Sequence, residues 1–262
     1  MLKIHQIRNA TMVLETENEA ILIDPMLGDQ GIMPSFTLFR HKARKNPTVP
    51  LPQNINTILE KVTYCLITHR HPDHLDSKGI QFLIKKNIPV ICSIKDKKAL
   101  TKKGLNIVQT LKYWEKQTFL GGTIEGIPAK HGYGVVSKLM GNVIGFFIKL
   151  PNQKSIYLSS DTIYTESVDK VLKNYNPEIS VLACGTAQFD LFKQLIMSVD
   201  DIIKFVKNSS GKVIANHMES INHCPLTRDK LKTILRDNRL MYKVYIPEDG
   251  EILEIDHIEN KG

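Results

Sequence analysis

A chain of 262 residues, 42% hydrophobic and 24% charged, has the make-up of a folded globular protein, and its length suits one large α/β domain better than two small ones. No apolar run reaches the roughly 18 residues that a membrane span needs, and the start Met1-Leu2-Lys3-Ile4-His5-Gln6 lacks the blocks of a signal peptide, so no membrane partner and a cytoplasmic location are expected. The net charge of +8 favours anionic partners in general, but lysine pairs such as Lys85-Lys86, Lys97-Lys98 and Lys102-Lys103 read as solvated helix faces.

The chain opens as a meander of short strands through Leu2, Ile4 and Ile7, then Met12 to Leu14, then Ala20 to Ile23, and ends this run at Asp24-Pro25. From Met26 to Asn56 no periodicity holds and prolines recur, which predicts a long loop. With Phe36, Phe39 and the basic cluster Arg40 to Lys45, that loop is either a lid over an anionic substrate or a solvated excursion. An apolar strand at Val62 to Ile67 follows. Helices over 77–86 and 95–103 alternate with strands over 89–92 and 105–111, giving a βαβαβ run. A second meander covers 118–120, 123–128, 143–150 and 155–158. Helices over 167–174, 199–207 and 227–237 then alternate with strands over 179–183, 213–215 and 243–245. The second half repeats the first. The expected fold is α/β, a four-layer αββα sandwich of two mixed sheets flanked by helices, in a single domain over 1–262 with halves near 1–116 and 117–262.

The densest chemistry lies in Thr68-His69-Arg70-His71-Pro72-Asp73-His74, directly after a buried strand. Imidazole and carboxylate are the donors that zinc, manganese and iron take, and this spacing consists of ligand types only. Pro72 is expected to open a helix with Asp73 and His74 in its first turn, so that His69 and His71 face one metal while Asp73 and His74 face another. Asp24 either hydrogen-bonds the distal nitrogen of a ligand histidine or starts a turn before proline. Later strand ends carry His131, Asp161 and His217, where open α/β sheets place their sites. The cysteines are widely spaced with no Cys-x-x-Cys pair; Cys65 and Cys92 read as core thiols, and Cys184 as a residue lining the pocket. His5, His41 and His257 read as surface residues.

His69, His71, Asp73 and His74, followed in order by His131, Asp161 and His217 with Asp24 upstream, resemble the metallo-β-lactamase superfamily of metal-dependent hydrolases. The phrase Asn216-His217-Met218-Glu219-Ser220-Ile221-Asn222-His223-Cys224 is most similar to the subgroup related to ascorbate-6-phosphate lactonase. The resemblance implies two divalent metal ions, zinc or manganese. His69, His71 and His131 would hold one, Asp73, His74 and His217 the second, and Asp161 would bridge them. It also implies a hydroxide between the metals as nucleophile, with Asp73 orienting it and accepting its proton. Departures narrow the field: antibiotic-cleaving members use a cysteine where Asp161 stands, and only about 45 residues follow His217, too few for the helical domain of the glyoxalase II-like branch.

His223 and Cys224 have two readings, as substrate contacts or as parts of a loop, and Glu219 two more, as a substrate contact or a helix-start carboxylate. The expected partner is a small anionic ester, lactone or phosphodiester, with a homo-oligomer allowed. Two alternatives compete with it: a nucleic-acid-binding or nucleolytic protein, against which dispersed lysines and the single Trp114 argue, and a one-metal oxygenase.

Overall fold

In the computed structural model, which describes residues 1–255, the strands form two seven-stranded sheets, each within its own compact unit. The first unit comprises Met1–Gly28, Leu51–Thr110 and the chain from Pro247 on; the second comprises Asp29–Pro50 and Leu111–Ile246.

In the first unit β1 (Lys3–Arg8), β2 (Thr11–Glu15) and β3 (Ala20–Ile23) form the antiparallel meander. Helix α1 (Ile55–Glu60) leads to β4 (Tyr64–Ile67), α2 (Ser77–Lys85), β5 (Val90–Ser93), α3 (Lys97–Lys102) and β6 (Ile107–Leu111). Strands β3, β4 and β5 run parallel, as a βαβ layout demands. Ile7, Val13, Leu22, Cys65, Leu83 and Val90 lie in the core of this unit. Burial of each aliphatic side chain among them contributes about 1.5–3 kcal/mol. Cys65 and Cys92 are core thiols as expected, and burial pushes the Cys92 thiol up to about 12 and raises that of Cys65 as well.

The second unit begins, after the Asp29–Pro50 segment, with β7 (Lys116–Phe119), β8 (Gly122–Pro128), α4 (Val136–Leu139), β9 (Ile144–Lys149) and β10 (Ile156–Leu158). Helix α5 (Glu166–Lys170) continues into a wider π turn, Val171–Tyr175, that stops at left-handed Asn176. Then come β11 (Ile179–Ala183), α6 (Val199–Asn208), β12 (Lys212–Asn216), α7 (Arg228–Asp237) and β13 (Val244–Tyr245). Helices α5, α6 and α7 start on Thr165, Ser198 and Thr227, whose hydroxyls each accept a first-turn N–H. Since β8 and β10 are both antiparallel to β9, while β10, β11 and β12 are parallel, the C-terminal ends of β8, β10 and β12 emerge at one sheet edge.

The fold class is that expected: two mixed sheets with flanking helices. Four elements lie outside the expected set and each is short; one is the single 3-10 turn Met241–Lys243 before β13. Helix α1 has no side-chain cap, α4 has four residues, and β14 (Ile252–Glu254) is a three-residue strand pairing with β1. His5 is buried against Glu15 at 2.5 Å and His41 is half-buried, which corrects their surface reading. His257 lies outside the described residues. Cys184 is buried and belongs to the hydrophobic core cluster that also holds Tyr157, Leu182 and Phe205. Trp114 packs edge-on to Tyr175 with Lys170 Nζ 4.0 Å above its ring, so it offers no stacking platform for bases. The six lysines of the three pairs are exposed. No helix among the described residues is long and apolar enough to cross a membrane.

Candidate metal centre

The first group of ligand-type residues follows β4. His71 accepts through its carbonyl from the N–H groups of His74 (2.9 Å) and Leu75 (2.8 Å), closing a tight turn. Helix α2 starts only at Ser77, so Asp73 and His74 sit in that turn and not in the first turn of a helix. The helix cap is Asp76, which accepts from Gly79 N–H (2.8 Å) and from Gly28 N–H (2.6 Å). The start of α2 lies against the turn after β3: a Cβ on Gly79 would meet the Pro25 carbonyl oxygen at 1.9 Å, so only glycine fits.

Asp24 leaves β3 in the left-handed region, at φ 45, and is buried. Its carboxylate accepts from Thr68 N–H (2.7 Å), from the Thr68 hydroxyl (2.6 Å) and from His74 Nδ1 (2.8 Å). A carboxylate only accepts, so His74 carries its proton on Nδ1. The Thr68 hydroxyl gives its single proton to Asp24 and therefore accepts from His69 Nδ1, 2.9 Å away. Both imidazoles thus keep a lone pair on Nε2, the form in which histidine ligates a metal. One ligand-type atom each from Asp24, His69 and His74 lies within 4.8 Å of the other two. The His69 ring is 4.0 Å from that of His74 and 4.6 Å from that of His71, centroid to centroid. Asp73 is buried in the same turn, with its main-chain carbonyl held by Asn9 Nδ2 at 3.0 Å.

The second group comes from the sheet edge shared by β8, β10 and β12, which delivers His131, Asp161 and His217, all buried. His131 Nδ1 donates to the Leu195 carbonyl at 2.8 Å, which again leaves the lone pair on Nε2. His217 has φ 58, and its Nδ1 lies 3.6 Å from Cys224 Sγ. The Nε2 atoms of His131 and His217 each lie 3.5 Å from the same oxygen, Asp161 Oδ2. That separation is long for an ionic hydrogen bond, which closes to about 2.7–2.9 Å. It matches the edge of a coordination tetrahedron, roughly 3.4 Å for bonds of 2.0–2.1 Å. The donor set fits a divalent cation.

Glu219, also left-handed at φ 61, pairs through its carboxylate with Arg228 at 2.5 Å, and its carbonyl accepts from the Thr48 hydroxyl. His223 is buried between two aromatic rings, Phe36 at 5.3 Å and Phe189 at 5.4 Å. Phe36 belongs to the segment expected to be a lid or a solvated loop, and besides Thr48 that segment is tied down through Asn222 and Asp190. Asn222 accepts from Phe36 N–H (2.9 Å) and donates to Ser35 Oγ (2.8 Å) and the Thr37 carbonyl (2.9 Å). Asp190 accepts from the Thr37 hydroxyl and from the N–H groups of Leu38, Phe39 and Arg40. The Arg40 N–H foremost, with the Thr37 hydroxyl and the other amides, holds the Asp190 carboxyl well below the usual carboxylate range. The Arg40 guanidinium bonds the carbonyls of Phe189 and Asp190, both at 2.9 Å, so the first cation of the basic cluster helps to hold the segment. Asn222 and Asp190 carried no sequence signal, because their partners lie some 150 or more positions away.

Known proteins resemble this chain in sequence and in fold. Residues 19–216 match the beta-lactamase superfamily domain. The chain is 33% identical to the UPF0173 protein YddR of Bacillus subtilis (strain 168), covering 95% of this chain and 98% of that one. Among solved structures, a possible metal-dependent hydrolase from Veillonella parvula DSM 2008 is similar with a TM-score of 0.88 and 30% identity, over 97% of this chain and 99% of that one. An isothiocyanate hydrolase from Delia radicum gut bacteria is similar with a TM-score of 0.87 and 33% identity, over 96% and 98%. With its fold, its histidine and aspartate donors and these relatives, the chain belongs to the metallo-β-lactamase superfamily, within the UPF0173 family, and is a metal-dependent hydrolase.

Proposed function

We propose that the two ligand groups serve one dinuclear centre that hydrolyses a small molecule, within a single catalytic domain. His69, His71 and His131 would hold one divalent ion, Asp73, His74 and His217 would hold the other, and Asp161 would serve both. The observation that carries this reading is the position of Asp161 Oδ2, 3.5 Å from the Nε2 atoms of both His131 and His217, with the opposite ring nitrogen of each histidine already engaged. Zinc or manganese bound there would supply Lewis acidity and lower the pKa of water toward neutrality. Asp73 orients the attacking water and takes its proton on the carboxylate. Asp24 holds His74 in one tautomer through Nδ1 and, by way of Thr68, does the same for His69. No serine or cysteine nucleophile is required.

Two substrate classes follow. The first is the anionic ester, lactone or phosphodiester that the lactonase-like phrase around His217 implies. The second is a small neutral electrophile of the isothiocyanate type, in line with the named activity of the similar structure. The aromatic setting of His223 and the engagement of Arg40 with backbone carbonyls favour the second. The test is a panel of phosphodiester, lactone, thioester and isothiocyanate substrates given to protein loaded with zinc or manganese and to the same protein after chelation. Turnover of at least one class that disappears on chelation and returns with metal is expected; turnover that survives complete metal removal would overturn the proposal.

A further inference from the structure

Four of the proposed ligand histidines meet a partner on the opposite side of the ring, and these partners differ in strength. His74 is held by a carboxylate, His69 by a hydroxyl that is itself bound to that carboxylate, and His131 by a main-chain carbonyl. His217 faces Cys224 Sγ, 3.6 Å from its Nδ1. A thiol sulfur is the weakest acceptor of the four. Yet the fold is built to bring it there. Cys224 is buried, and the turn that carries it is closed by its own N–H bonding the Ile221 carbonyl at 3.1 Å. The end of β11 passes directly over it: a Cβ on Gly185 would lie 2.2 Å from the His217 carbonyl oxygen and 2.9 Å from Cys224 Sγ. Glycine at 185 is thus what lets the thiol and the His217 backbone share this space.

We propose that Cys224 is a positioning residue for His217, accepting a hydrogen bond from Nδ1–H and so presenting the Nε2 lone pair to the metal, without ligating the metal itself. Because a thiol is a weak acceptor, His217 gains less basicity from Cys224 than His74, proposed as a ligand of the same ion, gains from Asp24. The inference rests on the dinuclear reading above.

The experiment is a zinc titration of the metal-free full-length protein in competition with a chromophoric chelator, for the wild type, Cys224→Ala and Cys224→Ser. Wild type should bind two zinc ions. Cys224→Ala should weaken one of the two affinities by about 10–100-fold, the range for loss of such a partner, and leave the other within a few-fold. Cys224→Ser, which keeps an acceptor, should recover most of the loss and shows that the alanine effect is not a folding defect. Cobalt-loaded wild type should lack an intense sulfur-to-metal charge-transfer band in the near ultraviolet. Such a band would overturn the proposal by making Cys224 a ligand, and so would equal zinc affinities in wild type and Cys224→Ala. A wild type that binds no zinc would instead remove the dinuclear reading and this inference with it.

Discussion

The two groups of proposed ligands are built in opposite ways. His69, His71, Asp73 and His74 come from one turn of six residues, steadied by a buried carboxylate that reaches two of the histidines. His131, Asp161 and His217 come from three separate strand ends, and their supports are a carbonyl and a thiol. The difference teaches that a local group needs one strong organiser, whereas a dispersed group relies on sheet geometry to set its spacing. It follows that substitution of Asp24 should reach two residues of the first group at once.

The largest effect is expected where the proposal itself is removed. His71→Ala and Asp161→Asn, one from each group, should lower turnover to the background of the chelated protein in a steady-state assay while the thermal melt stays cooperative; unchanged turnover in both would mean that the centre lies elsewhere. Asp24→Ala comes next. It leaves Thr68 N–H and His74 Nδ1–H buried without their acceptor, at a cost of about 1–3 kcal/mol each, and should lower zinc affinity by about 10–100-fold. Urea denaturation and metal titration of the same variant would read both losses, and a loss of stability without any change in affinity would break the link between Asp24 and the histidines. Gly79→Ala tests the packing beneath the first group alone: the added methyl runs into the Pro25 carbonyl, and about 1–3 kcal/mol of stability should be lost in the same denaturation experiment.

The smallest effect concerns the segment that carries Phe36. The folded-state pKa of Asp190 lies below its unfolded value, about 3.9, so the carboxylate stabilises the segment above that pH and the contribution fades as pH falls through the depressed value. At neutral pH the bonds are intact. Asp190→Asn should leave turnover of the loaded enzyme within a few-fold and speed tryptic cleavage between Arg40 and Lys45, read by mass spectrometry; equal cleavage rates would show that Asp190 does not hold the segment.

The same contrast explains what the sequence revealed. His-x-His-x-Asp-His is legible because its candidate ligands are neighbours in the chain. His131, Asp161 and His217 are legible only as polar residues after apolar strands, and their common edge follows from the strand directions of β8 to β12. The strong periodicity of α6 and α7 and the apolar runs of β4, β11 and β12 made the two sheets readable. Helices α1 and α4 and strand β14 span two turns or less, or three residues, and leave no period to detect. Asn222 and Asp190 act on residues far away in the chain, and nothing local marks either one. Proline at 72 suits a tight turn as well as a helix start, and the actual cap of α2, Asp76, sits four residues later.

The central claim is a centre with two metals, and the most direct measurement is the zinc or manganese content per chain, by plasma mass spectrometry, of protein loaded with that ion and freed of excess. The account predicts two ions per chain in the wild type and fewer in Asp161→Asn. A wild type that holds a single iron per chain, and takes up no second ion, would contradict it.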